Sequence, residues 1–120
     1  MKKILFALLL LASPLSFAQE AKGIIEKIKI CGTGTNGANW ARTLQFRVHG
    51  QWFGTWADHI GVPNDSDDTI STSLIFMAYS QKLPVHIKAT DPWNPLMTKC
   101  GVTDGKVFHR SAGDFIEISR

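Results

Sequence analysis

From Thr43 to His49 apolar and polar residues alternate without a break. Leu44, Phe46 and Val48 fall on one side, and Gln45, Arg47 and His49 on the other. Successive side chains of a strand point to opposite faces, so this pattern predicts a strand with one buried face. Gly50-Gln51 reads as a short turn, and Trp52–Trp56 resumes as a second strand, which makes a hairpin. Ala21–Ile30 is rich in isoleucine and alternates imperfectly, a further strand that Cys31 closes. Gly32–Gly37 is a loop by composition. No Gly-Lys-Ser/Thr follows it, so a phosphate-binding role has no support.

After a loop over Asp58–Asp68 the pattern changes period. Ile70, Leu74, Met77 and Ala78 recur at helical spacing, and Ile75, Phe76 and Tyr79 widen the apolar surface. A helix over 68–81 follows, capped by Ser66 or Asp67, with acids in its first turn where the dipole favours them. The Ser71-Thr72-Ser73 run suits a face turned to solvent or to a pore. Leu83–Thr90 returns to strand, with Val85 and Ile87 inward and His86 and Lys88 outward. Met97–Val102 is a short strand, Asp104-Gly105 a tight turn, and Lys106–His109 and Phe115–Ser119 complete the sheet. The fold class is therefore mainly β with one helix. Antiparallel strands with a helix inserted between them suit a five-stranded OB-fold barrel.

The chain starts with Lys2 and Lys3, an apolar run over Ile4–Ala12, Pro14, and Ser16-Phe17-Ala18 before a cut at Gln19. That order is a secretory signal peptide. The run is too short to span a bilayer core of about 30 Å. No later segment resembles a transmembrane helix. Removing 18 of 120 residues leaves 102, one domain over residues 19–120. Two of thirteen basic residues leave with the signal, so eleven stand against ten acidic ones, a net +1. No Lys/Arg cluster remains to support a nucleic-acid partner. Both cysteines, Cys31 and Cys100, lie in the exported part. An oxidising compartment and an even count favour one disulfide between them. A metal pair would want a Cys-x-x-Cys or a neighbouring histidine, and neither is present.

Catalytic patterns are sparse. His49, His59, His86 and His109 form no His-x-x-x-His or His-Glu-x-x-His spacing. Asp65, Asp67 and Asp68 give half a calcium loop without its turn glycine or bidentate glutamate, and helix capping is the plainer role. No Gly-x-Ser-x-Gly elbow is present. The reading is a non-enzyme with no metal and no cofactor. Four tryptophans in so short a chain stand out instead: Trp40, Trp52, Trp56 and Trp93. Trp52 beside a turn and Trp93 between prolines occupy surface positions, where an aromatic face serves a partner or a sugar ring.

The stretch Ser73-Leu-Ile-Phe-Met-Ala-Tyr-Ser-Gln-Lys-Leu-Pro-Val-His-Ile87, followed by Asp91-Pro92-Trp93, resembles the B subunits of the subtilase cytotoxin and typhoid toxin family, pertussis-like AB toxins. Those subunits run an apolar-aromatic helix into a turn, a Pro/Ser-Val-Arg-Ile strand and a turn with a tryptophan. Lys22-Gly23-Ile24-Ile25 is similar to their opening strand. Lys22 stands where the family has a serine that bonds a sialic acid carboxylate, and an ammonium offers that group a point charge. Ala89 stands near the family's fourth-strand tyrosine, and the family's additional cysteines are absent. The resemblance implies an OB-fold subunit, secreted through the periplasm, that assembles as a homo-pentamer with the helix lining the pore of the ring. It implies an enzymatic A subunit as partner and a sialylated or other acidic host glycan as ligand. Lys22, Arg47, His49, Gln51 and Trp52 are the residues expected to bind it. The alternative is a monomeric periplasmic OB-fold binding or inhibitor protein. Intact-mass measurement of the exported protein is expected to give a chain starting at Gln19, and a mass retaining residues 1–18 would refute the signal.

Overall fold

The computed structural model describes residues 18–36, 39–59, 66–108 and 111–119. Residues 1–17 of the expected signal over 1–18 and the centre of the expected loop, 60–65, lie outside these residues, as do the capping side chains of Ser66 and Asp67. Strands β1 (Gln19–Asn36), β2 (Asn39–Val48) and β3 (Gln51–His59) lead to helix α1 (Ser66–Gln81). Strands β4 (Pro84–Ala89) and β5 (Asp91–Pro92), a 3₁₀ turn over Pro95–Cys100, and strands β6 (Lys106–Val107) and β7 (Phe115–Ile118) complete the chain. The strands form one sheet in the order β5-β6-β3-β2-β1-β4-β7. Only Thr90 separates β4 from β5 in the chain, yet they stand near opposite ends of that order. The sheet therefore curls into a half-barrel. Asp114 pins the corner, accepting from the Thr90 N–H at 3.0 Å and its hydroxyl at 2.7 Å.

The fold is mainly β with one main helix, as expected. The strands number seven against an expected five, two of them only two residues long. β3 pairs with β6 in parallel, where all pairs were expected to be antiparallel.

β1 runs on through the glycine-rich segment expected to be a loop, because β2 offers pairing as far as Asn36↔Asn39. Its imperfect alternation has a structural cause. The register shifts between Ile25 and Lys27, a bulge that exchanges the two faces. Ala21 and Ile25 face the core before it; after it Ile28, opposite Phe46, packs on the core, and Cys31, opposite Thr43, is buried on the other face. The hairpin turn is His49-Gly50, one residue earlier than expected. Both residues take left-handed backbone, φ 51° and 77°, the pattern that matches strand twist in a two-residue hairpin.

The core joins Leu44, Phe46 and Val48 of β2 to Phe53 of β3, Val85, Ile87 and Ala89 of β4, and Ile75 and Ala78 of α1. The rings of Phe46 and Phe53 lie 5.8 Å apart. The helix turns Thr72, Ile75 and Ala78 to the sheet, while Ile70 and Met77, expected inside, are exposed. Small residues at 72 and 78 let the helix lie close on the sheet. Lys82 at φ 55° ends it. The Leu83 N–H reaches the Ala78 carbonyl and the Lys82 N–H that of Tyr79, a Schellman arrangement on a non-glycine residue.

The second face of β2 is not the solvent face that alternation predicts. Thr43 and Gln45 are fully buried. The segment after β5 covers them. Asn94 accepts from the Leu96 N–H, Pro95 opens the 3₁₀ turn and Gly101 at φ 100° closes it, where a strand was expected. Gln45 donates to the Met97 carbonyl at 2.9 Å. The disulfide Cys31–Cys100 bolts this layer to β1 across 69 residues of sequence. Gly105 does not turn a hairpin. It lets the backbone pass under Trp52 and Trp93, since a Cβ there would sit 2.6 Å from the Trp52 carbonyl oxygen. Replacing Cys31 and Cys100 together by serine is expected to cost about 2–4 kcal/mol of unfolding free energy, because the link closes a long loop. Urea denaturation of the double variant checks this.

Candidate functional site

The bulge, the hairpin turn and the covering layer meet at one place. At the bulge, Glu26 points to the β2–β3 turn. Its Oε1 accepts from the Gly50 N–H at 3.0 Å and from Arg47 Nε at 2.9 Å. The Gly50 N–H is the main reason its carboxyl lies below the ordinary 4.5. Desolvation opposes the shift, and the Arg47 bond and charge add to it. Arg47 stands opposite Trp52 in the ladder, its guanidinium carbon 6.0 Å from the indole centroid. Lys29 Nζ lies 5.4 Å from the same ring and donates to the Cys100 carbonyl. Two cations thus hold Trp52 in place.

Beside Trp52 opens a cleft of about 390 Å³. The turn and β3 supply Gly50, Gln51 and Trp52 to its wall. The covering layer supplies Asp104, Gly105 and Lys106, and the start of β1 supplies Gln19. The Gln51 side-chain oxygen is buried and has no donor among the described residues. The volume falls within the usual range of small-molecule sites, about 300–1,000 Å³. A carboxylate, an ammonium, two carboxamides and an indole equip it for reversible binding of a polar ligand. Among the described residues no three of His, Cys, Asp and Glu come together as a metal site.

Of the five residues expected to bind, Gln51 and Trp52 line the cleft. Arg47 braces Trp52 and is engaged by Glu26. His49, exposed in the turn, has left the strand face that alternation assigned it. Lys22 stands elsewhere, opposite His86 in the β1–β4 ladder. There His86 lies 3.4 Å from Glu117 and 3.8 Å from Glu20, with Phe115 edge-on to its ring at 4.8 Å. Trp93, expected at the surface, is half-buried. Its indole N–H donates to the Val102 carbonyl and its ring lies against Gly54 and Gly105. Sequence reading missed Gln19, Asp104 and Lys106, because only the parallel β3–β6 pairing brings the last two beside Trp52. Their one signal is the acid-glycine-base order of Asp104-Gly105-Lys106. No protein-family model, no curated protein and no solved structure matches the chain.

A carboxyl with a depressed folded pKa adds stability above its unfolded pKa, and that stability is lost as pH falls through the folded value. Glu26→Gln is therefore expected to be less stable than the parent by a constant amount above about pH 5.5, and the two are expected to converge only once pH has fallen below the lowered folded value. Urea unfolding across that range measures the difference.

Proposed function

We propose that the chain is a non-catalytic, receptor-binding B subunit of a secreted AB-type toxin. It binds host glycans at the Trp52 cleft, assembles as a ring of five and carries an enzymatic A subunit. The observation that carries this reading is the outer face of α1. Ile70, Phe76, Met77 and Tyr79 are 67%, 46%, 43% and 41% exposed on a helix whose other side is already packed. Monomeric proteins rarely leave so many large apolar side chains of one helix in water. A closed ring covers them on every copy alike. The number five and the A subunit come from the resemblance to toxin B subunits.

The OB-fold reading has independent support in the topology. β1 pairs with β2 along one edge and with β4 along the other, α1 falls between β3 and β4, and β3 closes on β6 in parallel. OB-folds bind oligosaccharides on the face of their second and third strands and on the adjoining loops. The cleft borders β3 at the β2–β3 turn.

Light scattering coupled to gel filtration at micromolar concentration is expected to give the mass of five copies. Met77→Glu is expected to shift that mass to a single copy while leaving the circular dichroism spectrum in place. A parent protein that elutes as one copy would refute the ring and favour a monomeric periplasmic binding or inhibitor protein.

A further inference from the structure

We infer that the mature amino terminus closes as pyroglutamate: the cut that frees Gln19 leaves an α-amine, which condenses with that residue's own side chain. The inference rests on the secretory reading and adds a modified residue to the wall of the Trp52 cleft. The small residues Ser16 and Ala18 place the cut before Gln19. β1 begins at that same residue. Its ladder with β4 opens on the pair Gln19↔Ala89, while Ala18 stands exposed outside the strand. Cutting there removes no pair from the ladder, so the new terminus is held in the sheet and at the cleft instead of fraying.

Both reacting groups belong to Gln19. Its carboxamide has no hydrogen bond among the described residues, and the residue is half-buried where it lines the cleft. The lone pair of the amine attacks the side-chain Cδ and a C–N bond forms. The Cδ–Nε2 bond breaks, and Nε2 leaves as ammonia with a proton from the amine. The product is a γ-lactam, and no oxidant, reductant or other reactant is consumed. The site favours it. Gln19 faces Ala89, which is fully buried, across the ladder. An ammonium held there gives up part of its hydration. It also joins Lys106 and Lys29, whose Nζ lies 5.4 Å from the Trp52 ring, against one carboxylate in the described lining, Asp104. The lactam is neutral and keeps one N–H for a strand partner. It lacks the free amine that aminopeptidases require, so the first residue of β1 and its part of the cleft wall are protected from trimming.

The full chain is expressed with residues 1–18 in place, and the exported protein is held at neutral pH for several days. The expected mass is that of residues 19–120 less one ammonia. The chain is expected to be blocked to Edman sequencing, and to read Glu20-Ala21-Lys22 once pyroglutamyl aminopeptidase has removed the block. A free Gln19 read directly would overturn the inference and leave the signal standing. A mass that retains residues 1–18, or starts at another residue, would overturn both. Gln19→Ala cannot form the lactam. It is expected to be read directly from its first residue, and to be trimmed by a general aminopeptidase roughly tenfold faster than the parent. A blocked Gln19→Ala chain would overturn the inference, and equal trimming of the two would overturn the protective role.

Discussion

A single residue, Thr90, carries the chain from β4 to β5, and these strands belong to opposite ends of the sheet. A flat sheet would hold them several strand spacings apart, each about 4.8 Å. The only way to satisfy both is to curl the sheet until its ends approach. Everything else follows from that curl. It makes an inside, filled by Phe46, Phe53 and the aliphatic side chains of β4, over which α1 lies as a lid. It also brings the start of β1 near the β2–β3 turn, so Gln19 can share a cleft with Trp52. The two bonds from Asp114 to Thr90 satisfy the polar groups that this tight passage would otherwise strand.

The outer side of the sheet is structured as well. Around β2 it is covered by Met97, Trp93 and the 3₁₀ turn, which together form a thin second layer. Glycine makes this layer possible. A Cβ at Gly54 would lie 2.8 Å from Met97 Sδ, and one at Gly105 would press on both the Trp52 backbone and the Trp93 ring. The cleft is the place where this layer stops short of the hairpin turn. Its shape therefore depends on the backbone of the layer more than on any large side chain, and the disulfide at Cys31 fixes that backbone.

The core-facing side of each main strand was legible in the sequence. Leu44, Phe46 and Val48 alternate because only one layer packs on them, and Val85, Ile87 and Ala89 do the same in β4. The pairing of Cys31 with Cys100 was legible from compartment and count. Residues with two environments were not. Thr43 and Gln45 read as solvent-facing because polar side chains at alternate positions usually are. Here they are buried against carbonyl groups that sequence does not locate, and Thr43 bonds the Cys31 carbonyl. The helix misled in the opposite sense. It is apolar on all sides, so spacing named Ile75 and Ala78, which pack inward, together with Ile70 and Met77, which are exposed, and passed over the buried Thr72. Trp52 and Gln51 were found because an aromatic beside a turn is conspicuous. Asp104 and Lys106 were not, because a parallel pairing between strands some fifty residues apart leaves no local trace.

β1 is the first strand in the chain and lies in the interior of the sheet, with β2 on one edge and β4 on the other. Its partner along Gln19–Ile24 is β4, and Gln19 meets Ala89. A chain that emerges N-terminus first holds that edge open until some seventy more residues have followed. The β1–β2–β3 meander can form early, but it has no closed interior to stabilise it. Long-range pairing of this kind makes for slow acquisition of the native state. The fold locks only when the last third of the chain arrives, bringing the second edge and the second cysteine together.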